Sequence, residues 1–203
     1  MSQIKLVHSG GNGVIISAPS SNPAANRTLT LPGDADGEIL TSNSSVGKIL
    51  QVKQTVKTDT ASYSNTSFTK VTGFSSTITT TGSNKVLVRV MVHFGLEAGT
   101  AGQFRLARTT SGSSENDELI IGDASSNRTR ASMGGLMTSH NWMSVSESIE
   151  FLDSPSAGTH EYYVKARADN SSYPVYINRN YRNNDGSYAP VLASVITTME
   201  VAG

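Results

Sequence analysis

The chain has 203 residues, 16 basic against 16 acidic side chains, and no cysteine. Zero net charge argues against nucleic-acid binding, which draws its affinity from a surplus of Lys and Arg that displaces counterions from phosphates. Without cysteine there is no disulfide framework, no thiolate metal site and no cysteine nucleophile. Ser, Thr and Asn together supply 65 residues, and with the 18 glycines more than two residues in five are small or turn-forming. The apolar fraction, 36%, still lies above that of a disordered chain. No run approaches the roughly 18 apolar residues that span a bilayer. The richest, Val86 to Leu96, contains Arg89 and His93, so no membrane insertion is expected. The first 20 residues lack the basic start, apolar stretch and small-residue cleavage site of a secretory leader.

From Met1 to Ser62 there is not one aromatic residue; all 13 lie from Tyr63 onward. Each buried aromatic removes ~150–250 Å² from water, so this first third lacks the largest contributors to a core. It offers only short aliphatic clusters (Leu6-Val7, Val14-Ile15-Ile16, Leu29, Leu31, Ile39-Leu40), separated by Gly10-Gly11-Asn12-Gly13, Pro19, Pro23, Pro32-Gly33 and Asp36-Gly37. Below roughly 40 residues a domain needs disulfides, metals or oligomerisation. Disulfides are excluded here, which leaves copies of the chain as the source of apolar surface. Residues 1–50 are expected to form short β-strands intertwined with two other chains.

From Lys48 onward the pattern is β. Val86, Val88, Val90 and Val92 point one way and Leu87, Arg89, Met91 and His93 the other, the period of two that marks a strand with distinct faces. Similar runs are 48–59, 75–80, 103–108, 144–152, 160–168, 175–178 and 193–201, separated by turn residues such as Ser111-Gly112-Ser113-Ser114 and Asn183-Asn184-Asp185-Gly186. The Asp185-Gly186 pair suits a tight hairpin. No window carries a helical stripe; 131–138 comes nearest but contains Gly134-Gly135. Residues 51–203 are therefore expected to form an antiparallel, jelly-roll-like β-sandwich head. Parallel α/β folds are excluded, since no crossover helices exist.

Metal and catalytic chemistry find little support. His8, His93, His140 and His160 are isolated in sequence, and no metal or other cofactor is expected. Asp34, Asp36 and Glu38 imitate the start of a calcium loop but lack the later ligands; turn chemistry explains the segment. Glycoside hydrolysis needs two carboxylates across a scissile bond. Glu147 and Glu150 fall on opposite faces of one strand, and Glu115, Asp117 and Glu118 follow a Ser/Gly loop. The chain is not expected to be an enzyme.

Ligand binding is better supported. Tyr181, Arg182, Asn183, Asn184, Asp185 and Tyr188 mix flat aromatic faces with amide, carboxylate and guanidinium groups, the combination that sugar rings and hydroxyls require. A second candidate is Arg128 and Arg130 beside Trp142, the one tryptophan.

Several stretches occur in an order that resembles a known family. His8-Ser-Gly-Gly-Asn-Gly-Val14, Ala18-Pro-Ser-Ser-Asn-Pro23 and Asn26-Arg-Thr-Leu-Thr-Leu-Pro32 look like the repeat segment of tail-fibre, receptor-binding proteins of aquatic bacteriophages. Gly47-Lys-Ile-Leu-Gln-Val52, Phe151-Leu-Asp-Ser-Pro-Ser156, Tyr176-Ile-Asn-Arg179 and Thr198-Met-Glu-Val-Ala-Gly203 are similar to the C-terminal head of such fibres. The resemblance implies a homotrimeric virion protein, assembled in the host cytoplasm and attached to other tail or capsid proteins. Its further partner would be a host-surface polysaccharide or protein. An alternative within the same likeness is a capsid decoration or tail connector protein with no host ligand. The family's iron-binding His-x-His strand motif is absent.

Overall fold

The computed structural model describes residues 3–17, 20–21, 23–25, 48–136 and 140–202. The acidic segment Asp34 to Glu38 lies outside them. The chain divides into two compact units, residues 1–42 and 43–203, and among the described residues there is no helix. The described residues form thirteen strands, in chain order β1 (Gln3–Val7), β2 (Gly13–Ser17), β3 (Ile49–Lys57), β4 (Ala61–Tyr63), β5 (Thr69–Thr80), β6 (Lys85–Gly95), β7 (Ala101–Thr110), β8 (Glu115–Asn116), β9 (Met133–Leu136), β10 (Val145–Asp153), β11 (Gly158–Ala168), β12 (Val175–Ile177) and β13 (Ser194–Val201). All pairings are antiparallel.

In the first unit β1 and β2 form a hairpin, Gln3 opposite Ser17 and Val7 opposite Gly13. Its turn closes through His8 N donating to Asn12 O and Gly11 N to His8 O. Leu6, Val7, Ile15 and Ile16 are all 49% exposed or more. A two-stranded hairpin of this kind is at best marginal in water.

The second unit holds two sheets. One has the order β3-β13-β6-β10, and short β12 and β4 continue the columns of β13 and β3. The other has the order β5-β11-β7, with β8 and β9 pairing to β7 at different registers. The alternating valines of β6 place Val86, Val88, Val90 and Val92 inside. They belong to one core with Phe74, Ile78, Leu106, Tyr162 and Val164, and Phe94 meets Phe104 edge to face at 4.8 Å. Side chains of this size contribute about 1.5–3 kcal/mol each on burial. The alternation of β5 changes phase at Gly73 (φ 71°), so that Val71 and Phe74 both face inward. A bulge of this type needs one residue in the left-handed region, where glycine carries no steric penalty.

Buried polar groups are paired. Asp153 accepts hydrogen bonds from Arg108 and from the Tyr162 hydroxyl. Burial and the Asp153 carboxylate push the Tyr162 phenol up, keeping it a neutral donor. Asn178 sits where β12 and β13 separate, at φ 61°. Its Nδ2 donates to Lys57 O (2.7 Å) and Asp59 O (2.9 Å), and its Oδ1 accepts from Ser194 Oγ (2.6 Å). Asn178 N donates to His93 O, while Ser194 Oγ accepts from His93 N. One asparagine thus ties three strand columns across a break in two of them.

The segment 183–189 forms no hairpin, contrary to the sequence expectation. Gly186 N donates to Asn184 O and Ala189 N to Gly186 O, and no strands flank these turns. Asn183 takes the left-handed conformation instead, at φ 48°.

Replacing Asn178 by Ala should cost about 3 kcal/mol, roughly one for each lost side-chain hydrogen bond. Asn183→Ala, at an exposed position of similar φ, should cost about 1 kcal/mol. Urea denaturation of both variants checks the ratio; equal losses would refute the junction role.

Candidate functional site

The loop 178–193 is long because it leaves the sheet at Asn178 and returns only at β13. It folds over the end of β6. A Cβ at Gly95 would lie 2.6 Å from Arg179 O and from the Asn180 Cα, so a glycine is needed there for the close approach. Asn180 braces the loop from beneath: it is buried, its Oδ1 accepts from Asn183 N (2.8 Å), and its Nδ2 donates to Trp142 O (3.3 Å). On the other side Asn141 Oδ1 accepts from Ala98 N at 2.6 Å. The backbone around Trp142 is thereby pinned by two neighbouring loops.

The indole itself is 45% exposed. Tyr188, 66% exposed, meets it edge-on at 5.5 Å between centroids. The Arg182 guanidinium lies 5.5 Å from the indole centroid, within the range of cation–π attraction. Beside this pair, Arg179 stacks on Tyr176 at 4.0 Å, and Tyr176 meets Tyr181 edge-on at 5.7 Å. Arg179 also donates to Asn180 O and Tyr181 O. Burial pushes its guanidinium down from the ordinary value, opposed by Tyr176. Among the described residues neither Arg179 nor Arg182 has a carboxylate partner. The surface combines two open ring faces with an unpaired cation and the exposed Asn184 and Asp185.

The two sequence candidates are rearranged accordingly. Trp142, assigned with Arg128 and Arg130, packs with Tyr188 and Arg182 of the other group. Tyr181, Arg182 and Tyr188 supply rings and charge, whereas the backbone N–H of Asn183 caps Asn180. Arg128 is exposed on the wall of an open cavity of ≈ 1000 Å³ that also includes Asp123 and Gly134. Arg130 donates to Gly122 O at 2.8 Å and pairs with Glu118 at 3.7 Å. Tyr176, Arg179 and Asn180 complete the ring cluster; Tyr176 reads in sequence as a strand residue, and only its spacing from Arg179 hints at stacking.

The carboxylates weighed for hydrolysis are engaged elsewhere. Lys165 bridges Glu115 (2.6 Å) and Asp117 (3.0 Å), and Arg105 reaches Asp117 at 3.3 Å. Burial pushes the Asp117 carboxyl up, but the hydrogen bond and charge of Lys165, with Arg105, hold it below the usual carboxylate range. Glu147 is half-buried on the inner side of β10, whereas Glu150 faces outward and pairs with Arg89 at 2.8 Å. Of the histidines, His160 is buried between Thr80, Thr110 and Ser156, and His93 bonds Ser146 at 2.6 Å. His140 is exposed.

Compared with known proteins, the chain matches no family model and no curated protein. The reading of the site therefore rests on its chemistry.

A depressed Asp117 contributes stability that is complete above its unfolded value and is lost as pH falls through the folded one. The segment 111–132 should therefore exchange amide hydrogens faster below about pH 4 than at neutrality, after correction for intrinsic rates. Lys165→Met should remove most of that difference; an unchanged pH profile in the variant would refute the assignment.

Proposed function

We propose that this chain is a bacteriophage virion fibre protein whose homotrimeric head adheres to a host-surface glycan without chemical turnover. The observation that carries this reading is the cluster of Trp142, Tyr188 and Arg182. Its rings are open to solvent although their backbone supports are fixed. A pyranose presents an apolar C–H face to such rings and hydroxyls to amide and guanidinium donors. Binding then requires little reordering of the protein, which limits the entropic cost.

A jelly-roll reading is supported by the chain's repeated passage between the two sheets, at β4–β5, β5–β6, β6–β7, β9–β10, β10–β11 and β11–β12. The lack of cysteine suits a particle assembled in a reducing cytoplasm, where disulfides do not persist. Three copies of one weak site multiply by avidity, so millimolar contacts can hold a particle with roughly micromolar strength or better. The locked carboxylates at 115–118 and the opposed Glu147 and Glu150 support adhesion over hydrolysis.

Trp142 is the sole tryptophan, so its fluorescence reports on the site directly. Titrating the full chain with purified host-envelope polysaccharide should change the emission in a saturable way. Trp142→Ala and Arg182→Ala should each weaken binding at least about tenfold, equivalent to ~1.4 kcal/mol. Released reducing ends would overturn the adhesive reading in favour of an enzyme. Immunolabelling of whole particles that decorates the capsid lattice, with no glycan binding, would replace it with a decoration protein.

A further inference from the structure

Of the asparagines in the chain, Asn12 alone is followed by a glycine. It stands exposed in the turn of the β1–β2 hairpin, and among the described residues its side-chain amide holds no hydrogen bond. The turn is held by two backbone bonds, from His8 N to Asn12 O at 2.7 Å and from Gly11 N to His8 O at 2.9 Å. Beyond them Val7 lies opposite Gly13. Bonded and non-bonded pairs alternate along an antiparallel ladder, so the bond between His8 and Asn12 makes Val7–Gly13 a non-bonded pair, with the Gly13 N–H turned away from β1. A Cβ at Gly13 would stand 2.2 Å from Leu6 O. The close approach of the two strands thus keeps residue 13 free of a side chain.

A glycine after asparagine leaves nothing to hinder the main-chain nitrogen from reaching the side-chain carbonyl carbon. Once the Gly13 N–H gives its proton to a base in solvent, the nitrogen can attack Asn12 Cγ, and an N–Cγ bond closes a ring. The Cγ–Nδ2 bond then breaks, and Nδ2 takes up a proton and leaves as ammonia. Water opens the resulting succinimide at either carbonyl. Attack at Cγ breaks the bond just made and yields aspartate on an unchanged main chain. Attack at the Asn12 backbone carbonyl breaks the old peptide bond and yields isoaspartate, whose main chain runs through Cβ and Cγ. The sum is amide plus water to acid plus ammonia, with nothing oxidised or reduced.

Ring closure needs Asn12 to leave its turn conformation, so the reaction draws on the opened turn. Opening costs little there. Two backbone bonds of modest net worth are broken, the neighbouring pair contributes none, and a two-stranded hairpin is marginal to begin with. The isoaspartyl product cannot return to the closed turn. Its main chain is one atom longer, and the oxygen that accepted from His8 N now belongs to a free carboxylate. We propose that Asn12 is a site of spontaneous covalent modification, closing to a succinimide with Gly13 N and opening to an isoaspartyl residue that fixes the hairpin turn in its opened form.

The full chain, incubated in mildly alkaline buffer with and without denaturant, tests this when each asparagine is followed by peptide mass spectrometry. Asn12 should convert faster than any other asparagine. In the folded chain it should be slowed no more than about a hundredfold relative to denaturant, the most that two such hydrogen bonds impose. Asn12→Gln, with one more methylene, should abolish the product in this peptide. The isoaspartyl chain should lose amide-exchange protection at His8 and Gly11, whereas fresh Asn12→Asp, which adds the charge without the extra atom, should keep it. Conversion led by another asparagine, or a greater slowing in the folded chain, overturns the site. Equal protection in the isoaspartyl chain and in Asn12→Asp overturns the trapped turn.

Discussion

A β-strand has two sides, and a sandwich of two sheets consumes only one side of each. Every other feature of the head follows from how the remaining two sides are handled. The β5 sheet solves the problem with Thr, Lys, Arg and Glu that stay in water and pair across strands, as Lys70 does with Glu161 at 2.6 Å. The β6 sheet keeps aliphatics outside as well as inside, and there Gln54 bonds Thr197 and Arg89 pairs with Glu150. The inward valines of β6 join the core, while the outward Met91 leaves aliphatic surface in water.

The same economy shows in the buried polar groups. Where β12 ends and β13 begins, the Lys57 and Asp59 carbonyls accept hydrogen bonds from one side-chain amide. Only a residue with both donor and acceptor on a short side chain, and tolerance for the left-handed region, fills that gap. Asparagine meets all three requirements. The break is what releases the 178–193 loop toward Trp142, so the structural asparagine and the ring cluster are parts of one departure from regular pairing.

Strong alternation made the seven long strands, β3, β5, β6, β7, β10, β11 and β13, legible in the sequence. Val86 to Val92 could belong to nothing else, and the runs at 144–152, 160–168 and 193–201 were bounded by turn residues. The first half of β5 was hidden because the bulge at Gly73 shifts the phase of the pattern. β4, β8 and β9 are too short to establish a period and exist through their neighbours. The ring cluster was half legible: Tyr, Arg and Asn in one loop announced a polar surface with flat faces. That Trp142 would join it depended on Asn180 and Asn141, whose hydrogen bonds bridge loops distant in sequence. The Asp185-Gly186 signal misled because hairpin chemistry requires flanking strands, and here the flanks are irregular.

The head thus exposes apolar atoms in two ways that differ in kind. On the outer side of the β6 sheet Gln54 bonds Thr197 and Arg89 pairs with Glu150, beside aliphatic carbon at Val52, Val56, Met91 and Leu152 that stays exposed. Around Trp142 the rings are open, yet among the described residues the Arg182 guanidinium has no counter-ion, and Asn184 and Asp185 are exposed. Covering that surface with a dry, apolar partner would strand a charge, which is far more costly than the ring burial would return. A ligand carrying hydroxyl or carboxylate groups around an apolar face, with water bridging the rest, would avoid that cost. The two surfaces differ in which polar groups are already satisfied.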